Sequence, residues 1–231
     1  FLDIETVPVT QDYSMLNEHM QELWDKKVAI PVKNEEGLPE ELWDRGGLYA
    51  EFGKIVCISA GIFSNLEEPR RFRIKSFAGD DEALILTGFS RLIEKFRPGR
   101  ELNLCAHNGK DFDFPFIGRR MIVNGIPVPE VLNVAGKKPW EVHFLDTMEL
   151  WKFGAFRHYI SLALMAEILD IPNPKDDIDG SQVGKVYYED RDINRIIRYC
   201  EKDVLTVAQI LLKLRGESLI PEENVEIIEN T

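Results

Sequence analysis

The chain has 231 residues, 44% of them hydrophobic, and a formal net charge of -12. That is apolar material for one large core, while the lack of any run of about 18 apolar residues excludes a membrane-spanning helix. The acidic balance runs against a phosphate-rich partner, whose affinity comes from Lys and Arg. It is unevenly spread, because the segment after Arg215 holds Glu217, Glu222, Glu223, Glu226 and Glu229 with no base. The opening Phe-Leu-Asp-Ile-Glu carries charge where a secretion signal needs an apolar stretch, so a cytoplasmic location is expected. Cys57, Cys105 and Cys200 are odd in number, far apart and set among apolar residues, a pattern of reduced core thiols rather than disulfides or zinc ligands.

Phe1 to Val7 reads as a buried strand ended by Pro8, and Lys54 to Phe63 as a second strand rich in β-branched residues. Residues 9 to 50, with Trp24, Pro31, Pro39, Trp43 and the acids Glu35, Glu36, Glu40 and Glu41, predict short helices and a solvated connection without a core of its own. Arg70 to Phe77 alternates basic and apolar residues as a half-exposed strand does. Asp80-Asp81 then offers an N-cap to a helix with Ile85, Phe89, Leu92 and Phe96 on one face, stopped by Pro98-Gly99.

Leu102 to Ala106 suits a central parallel strand, followed by His-Asn-Gly and a helix from about Phe114 to Val123. Val142 to Leu145 is a further short strand, after which Asp146-Thr147 suits a helix cap. Gly180-Ser181, after Asp176, Asp177 and Asp179, suits a turn and cap. Helices over Ile160 to Leu169 and Asp192 to Leu214 complete a layered α/β domain over residues 1–216, with an insertion at 9–50 and an acidic tail at 217–231.

Three places put charge where chemistry needs it. Asp3 and Glu5, two apart on a strand, point to one face while Leu2 and Ile4 point to the other. Alone, such a pair equally suits a solvated strand end. Asp203 interrupts the packing stripe of the long last helix, with Tyr199 one turn earlier on the same face, although a partly exposed flank would give the same spacing. Asn108 and Asp113 fall at a strand-to-helix junction, where α/β sheets build sites and where Asp also serves as a cap.

Taken together, Asp-Ile-Glu-Thr (3 to 6), Asn-x-x-x-Phe-Asp (108 to 113) and Tyr-Cys-x-x-Asp (199 to 203) resemble the three motifs of the DEDD exonuclease superfamily, in the branch with tyrosine in the third motif. The match is similar to the proofreading domains of family B DNA polymerases, and because the sequence shows no polymerase palm motifs downstream, it resembles the predicted stand-alone 3′-5′ exonucleases related to those domains. The resemblance implies a ribonuclease H-like fold with a central mixed five-stranded sheet flanked by helices. It further implies two divalent cations, Mg2+ or Mn2+, bound by Asp3, Glu5, Asp113 and Asp203, with Tyr199 orienting the attacking water. Asn108, part of the matched motif, suits a substrate contact and a turn before Gly109 equally well, and Phe112 suits either a ring stacked on a terminal base or the core. The expected partner is the 3′ end of nucleic acid, preferably single-stranded DNA.

Competing readings are an RNA-trimming exonuclease, a ribonuclease H-like endonuclease and a catalytically silent nucleic-acid scaffold. Arg70, Arg71, Arg73 and Lys75, with Arg119-Arg120 and Lys137-Lys138, are the available phosphate-binding charges. Of Phe112, Phe114 and Phe116, at least two should be core.

Overall fold

A computed structural model of the chain describes residues 1–29, 37–65, 69–96, 102–156, 158–172 and 178–229. The expected loop at Glu35-Glu36, the helix stop at Pro98-Gly99 and the acids Asp176 and Asp177 lie outside the described residues. None of the described helices is long and apolar enough to cross a membrane.

Alternating burial builds the sheet. Strand β1 (Leu2–Pro8) pairs antiparallel with β2 (Gly53–Asn65), and β2 antiparallel with β3 (Arg71–Ala78). Leu2 and Ile4 pack with Ile55 and Ile58 against α2 (Glu82–Phe96) and α3 (Asp113–Val123) through Leu86, Phe89, Phe116, Ile117 and Met121. The opposite sheet face meets α7 (Ile193–Leu214), whose Val204, Ala208 and Leu212 pack on Phe72 and Ile74, while Ile196 and Cys200 pack with Val7, Val56 and Cys57. A register shift between Glu5 and Thr6 turns both Val56 and Cys57 toward α7. Helix α7 comes so close to β2 that a Cβ on Gly61 would lie 2.8 Å from Val204 and 2.3 Å from Phe72.

The sheet departs from expectation at both ends. Strand β6 (Val225–Ile228) lies within the acidic segment expected to be a tail, and adds to β3 in parallel, giving a four-stranded sheet in the order β1-β2-β3-β6. Acids of this segment pair with bases of β3 and of the residue before it: Arg73 Nε lies 2.9 Å from Glu226 Oε2, and Arg70 Nη2 lies 2.6 Å from Glu217 Oε2. Arg70 and Arg73 are therefore committed to the fold rather than held ready for phosphate.

On the other side, β4 (Cys105–Ala106) and β5 (Leu145–Asp146) form a separate parallel pair beside β1. The expected single five-stranded sheet is thus a four-stranded ladder plus a two-residue pair. Residues 102–104 and 142–144, read as strand, have no regular structure, which leaves these strands too short to extend a ladder across to β1.

Residues 9–50 also differ from expectation. Helix α1 (Glu18–Val28), capped by the Asn17 side chain, buries Trp24 against Trp43 and Phe52 in a small aromatic core. The indole N–H groups of Trp24 and Trp43 donate to the carbonyls of Pro39 and Thr10 at 2.8 and 3.0 Å, so the rings are buried without a stranded donor. Gly47 seats this unit against the backbone of Val7, where an added Cβ would lie 3.2 Å away. The described part of the insertion, 9–29 and 37–50, is a packed wall rather than a solvated connection. The remaining helices are α4 (Thr147–Trp151), α5 (Leu162–Ile168) and the short α6 (Val183–Lys185), which continues into a π-helical turn over Val186–Asp190.

Candidate active site

Asp3, Glu5, Asn108, Phe112, Asp113, Tyr199 and Asp203 all line one cleft of about 1130 Å³. β1 presents Asp3 and Glu5 on the face turned to α7, where Tyr199 and Asp203 follow one another by a single helical turn. Asp113 enters from the first turn of α3. The packed insertion supplies Gln11, Asp12, Asp44, Arg45 and Leu48 to one wall of the same cleft.

Burial and mutual repulsion set the electrostatics. Burial raises the Asp3 carboxyl well above its usual range, and the charges of Asp113 and Asp203 raise it further. Glu5 is raised in the same way by burial, then by Asp3 and Asp203. Asp113 is pushed up to about 7 by burial, against the pull of backbone hydrogen bonds from its own N–H and from Ile4. The Ile4 bond also ties α3 to β1. Tyr199 is driven far above the usual phenol range by burial and by Asp203, Glu5 and Asp3, so its hydroxyl keeps its proton. These are penalties that a dication would reverse, and carboxylate oxygens are the donors that hard cations prefer, so the residues fit such an ion.

Cys200 was expected to be an inert core thiol, and it lies inside this cluster. Its Sγ and the carboxylate oxygens of Asp3 and Glu5 come within 4.8 Å of one another, and its S–H donates to Asp3 Oδ2 and to the Asp3 carbonyl, each at 3.4 Å. Burial keeps the thiol protonated, which makes it a donor that orients Asp3 rather than a ligand for a hard ion. Its spacing of three residues before Asp203 on a helix is the signal that places it on this face.

The loop that carries Asn108 and Asp113 is fixed by Asp146. Besides capping α4 through Met148 N and Glu149 N, this carboxylate accepts from the backbone N–H groups of Asn108 and Lys110 at 3.0 and 3.1 Å. The cap was legible in the sequence, whereas the reach to the loop was not. Asn108 adopts a positive φ of 59°, which Asn tolerates better than most side chains. Gly109 follows because an added Cβ would lie 2.4 Å from the Ala106 Cβ. His107, lowered by burial and hence neutral at neutral pH, sits 2.8 Å from Thr147 Oγ1 and 2.9 Å from the Ile160 carbonyl. Phe114 and Phe116 are core, while Phe112 is half-buried with its ring on Phe116. Arg120 is also spent on structure, in a buried ion pair with Glu82, whereas Arg119 and Lys137 line a neighbouring groove.

Fold and site define an α/β protein with an acidic cleft suited to hard cations. Residues 48–220 match the family described as predicted 3′-5′ exonucleases related to the exonuclease domain of PolB, and the chain belongs to that family. The match contains Asn108, Phe112, Asp113, Tyr199 and Asp203; Asp3 and Glu5 lie ahead of it and reach the cleft through β1. No curated protein matches the chain.

Proposed function

We propose that the chain is a metal-dependent 3′-5′ exonuclease of ribonuclease H-like design that removes nucleoside 5′-monophosphates one at a time from single-stranded DNA. The observation that carries this reading is the convergence of three distant segments on one cleft: Asp3 and Glu5 from β1, Asp113 from α3, and Tyr199 with Asp203 from α7. Buried carboxylates that repel one another are costly to retain without a cation to hold. Two Mg2+ or Mn2+ ions held by Asp3, Glu5, Asp113 and Asp203 would lower the pKa of bound water and place positive charge at the departing oxygen.

The protein's own groups supply position. The protonated Tyr199 hydroxyl, beside Asp203, holds the attacking water by a hydrogen bond. A bond forms from that water oxygen to the terminal phosphorus, and the bond to the 3′ oxygen of the penultimate nucleotide breaks. That oxygen takes up a proton and leaves as a hydroxyl. Phe112 presents a half-buried ring to the terminal base, and Asn108 a polar side chain to the terminal nucleotide.

In this reading Asp113→Ala and Asp203→Ala each abolish metal-dependent release of nucleoside 5′-monophosphate while the circular dichroism spectrum stays that of the wild type. Wild-type rates in a well-folded Asp203→Ala protein would sink it.

A further inference from the structure

Between α4 and α5 the chain reads Trp-Lys-Phe-Gly-Ala-Phe-Arg-His-Tyr over residues 151–159, aromatic side chains interleaved with basic ones. Phe153, Phe156 and Tyr159 are 87%, 90% and 76% exposed. Large rings so fully in water contribute little to the protein's own core, and grouped on one short segment they mark a binding surface. Phe153 also holds a φ of 44°, a conformation that a bulky residue adopts under strain and that functional segments retain.

The position of the segment points to its ligand. Tyr159 lines the carboxylate cleft, while Lys152 lines the adjoining groove of about 690 Å³ together with Lys110, Arg119 and Lys137. Lys110 pairs with Glu149 in this groove, Asp146 is turned to backbone N–H groups and Asp111 adds a third acid, so the four bases outnumber the acids by one in a protein of net charge -12. His107 bonds to Thr147 at the start of α4 and to the Ile160 carbonyl just after Tyr159, and so registers this stretch against the loop that carries Asn108 and Asp113.

We propose that Phe153, Phe156 and Tyr159 form a stacking platform for the unpaired nucleotides next to the reacting 3′ end, with their phosphates led toward Lys152, Arg119 and Lys137 in the adjoining groove. Exposed rings accept the faces of splayed bases whatever the sequence, and a paired duplex has no free base face to offer them. The placement of the 3′ end rests on the exonuclease reading, whereas the platform itself is tested by binding alone.

The test is fluorescence anisotropy of labelled dT12, U12 and a blunt 12-base-pair duplex with the full chain in chelator, so that no cleavage intervenes. The wild type is expected to bind at least one single strand about tenfold more tightly than the duplex. Phe153→Ala and Tyr159→Ala should each weaken single-strand binding about 5- to 150-fold, the loss of one base–aromatic stack, with unchanged melting temperature. Phe153→Trp should retain binding. Equal affinity of the alanine variants and the wild type would overturn the platform, as would a preference for duplex. Self-association of the wild type through these rings, with no binding of either strand, would assign the patch to a protein partner and overturn it too. Strand binding that depends on Phe153 and Tyr159, in a protein that cleaves nothing with metal, would keep the platform and remove the exonuclease reading.

Discussion

Asp113 shows how one carboxyl links stability to function. In the metal-free protein it keeps its proton up to about pH 7, whereas in the unfolded chain it loses it near the ordinary value of 3.8. The folded state therefore binds more protons across that window, and stability falls as pH rises through it. The melting temperature in chelator should fall between pH 5 and about 7, and the fall should be smaller in Asp113→Asn. Added magnesium should raise the melting temperature more at pH 8 than at pH 5, because ligands must shed protons to hold the ion. A melting temperature that climbs over the same range in chelator, alike in both proteins, would count against a buried Asp113 that holds its proton. Tyr199 gives a kinetic counterpart. Tyr199→Phe keeps the ring and loses only the hydroxyl that we propose positions water, so its rate should drop by roughly 10² to 10⁴ while activity stays measurable. An unchanged rate would remove Tyr199 from the reaction.

Among the elements, the ones carrying their own local signal were legible and those depending on distant partners were not. β1, β2 and α7 declare themselves through β-branched runs and helical periodicity, and with them came the faces that bring Asp3, Glu5, Tyr199 and Asp203 together. β6 was hidden because Glu226 reads as part of a solvated tail until Arg73 of β3 is placed beside it. The aromatic core of residues 9–50 was hidden because Trp24 and Trp43 are 19 positions apart and meet only after Gly47 docks on β1. Asp146 betrayed its cap through its place before a helix, but its bonds to Asn108 and Lys110 arise from the parallel pairing of β4 with β5. The buried link between α2 and α3 was equally unreadable: Glu82 receives Arg120 through two hydrogen bonds of 2.9 and 2.6 Å, and also accepts from Ile55 N and Asn124. Glu82→Ala leaves a buried guanidinium without its counter-ion and should cost about 3 to 5 kcal/mol in urea unfolding. A cost under about 1 kcal/mol would mean that water or a neighbour replaces the carboxylate.

For the whole molecule, the net charge of -12 conceals a division of labour. Part of the acid is used at the C-terminal segment, where Glu217 and Glu226 neutralise Arg70 and Arg73, and part is gathered in the cleft as candidate cation ligands. Beside that cleft, Arg119, Lys137 and Lys152 line the adjoining groove. In the exonuclease reading, this groove is where an acidic protein meets a polyanion, which favours the productive orientation. The measurement that tests the central claim most directly is digestion of 5′-end-labelled single-stranded DNA and RNA of one sequence, with magnesium, manganese or chelator, read as products over time. The account predicts a metal-dependent ladder descending one nucleotide at a time from the 3′ end, with DNA the better substrate. Internal cuts, or no cleavage of either strand with metal bound, would contradict it.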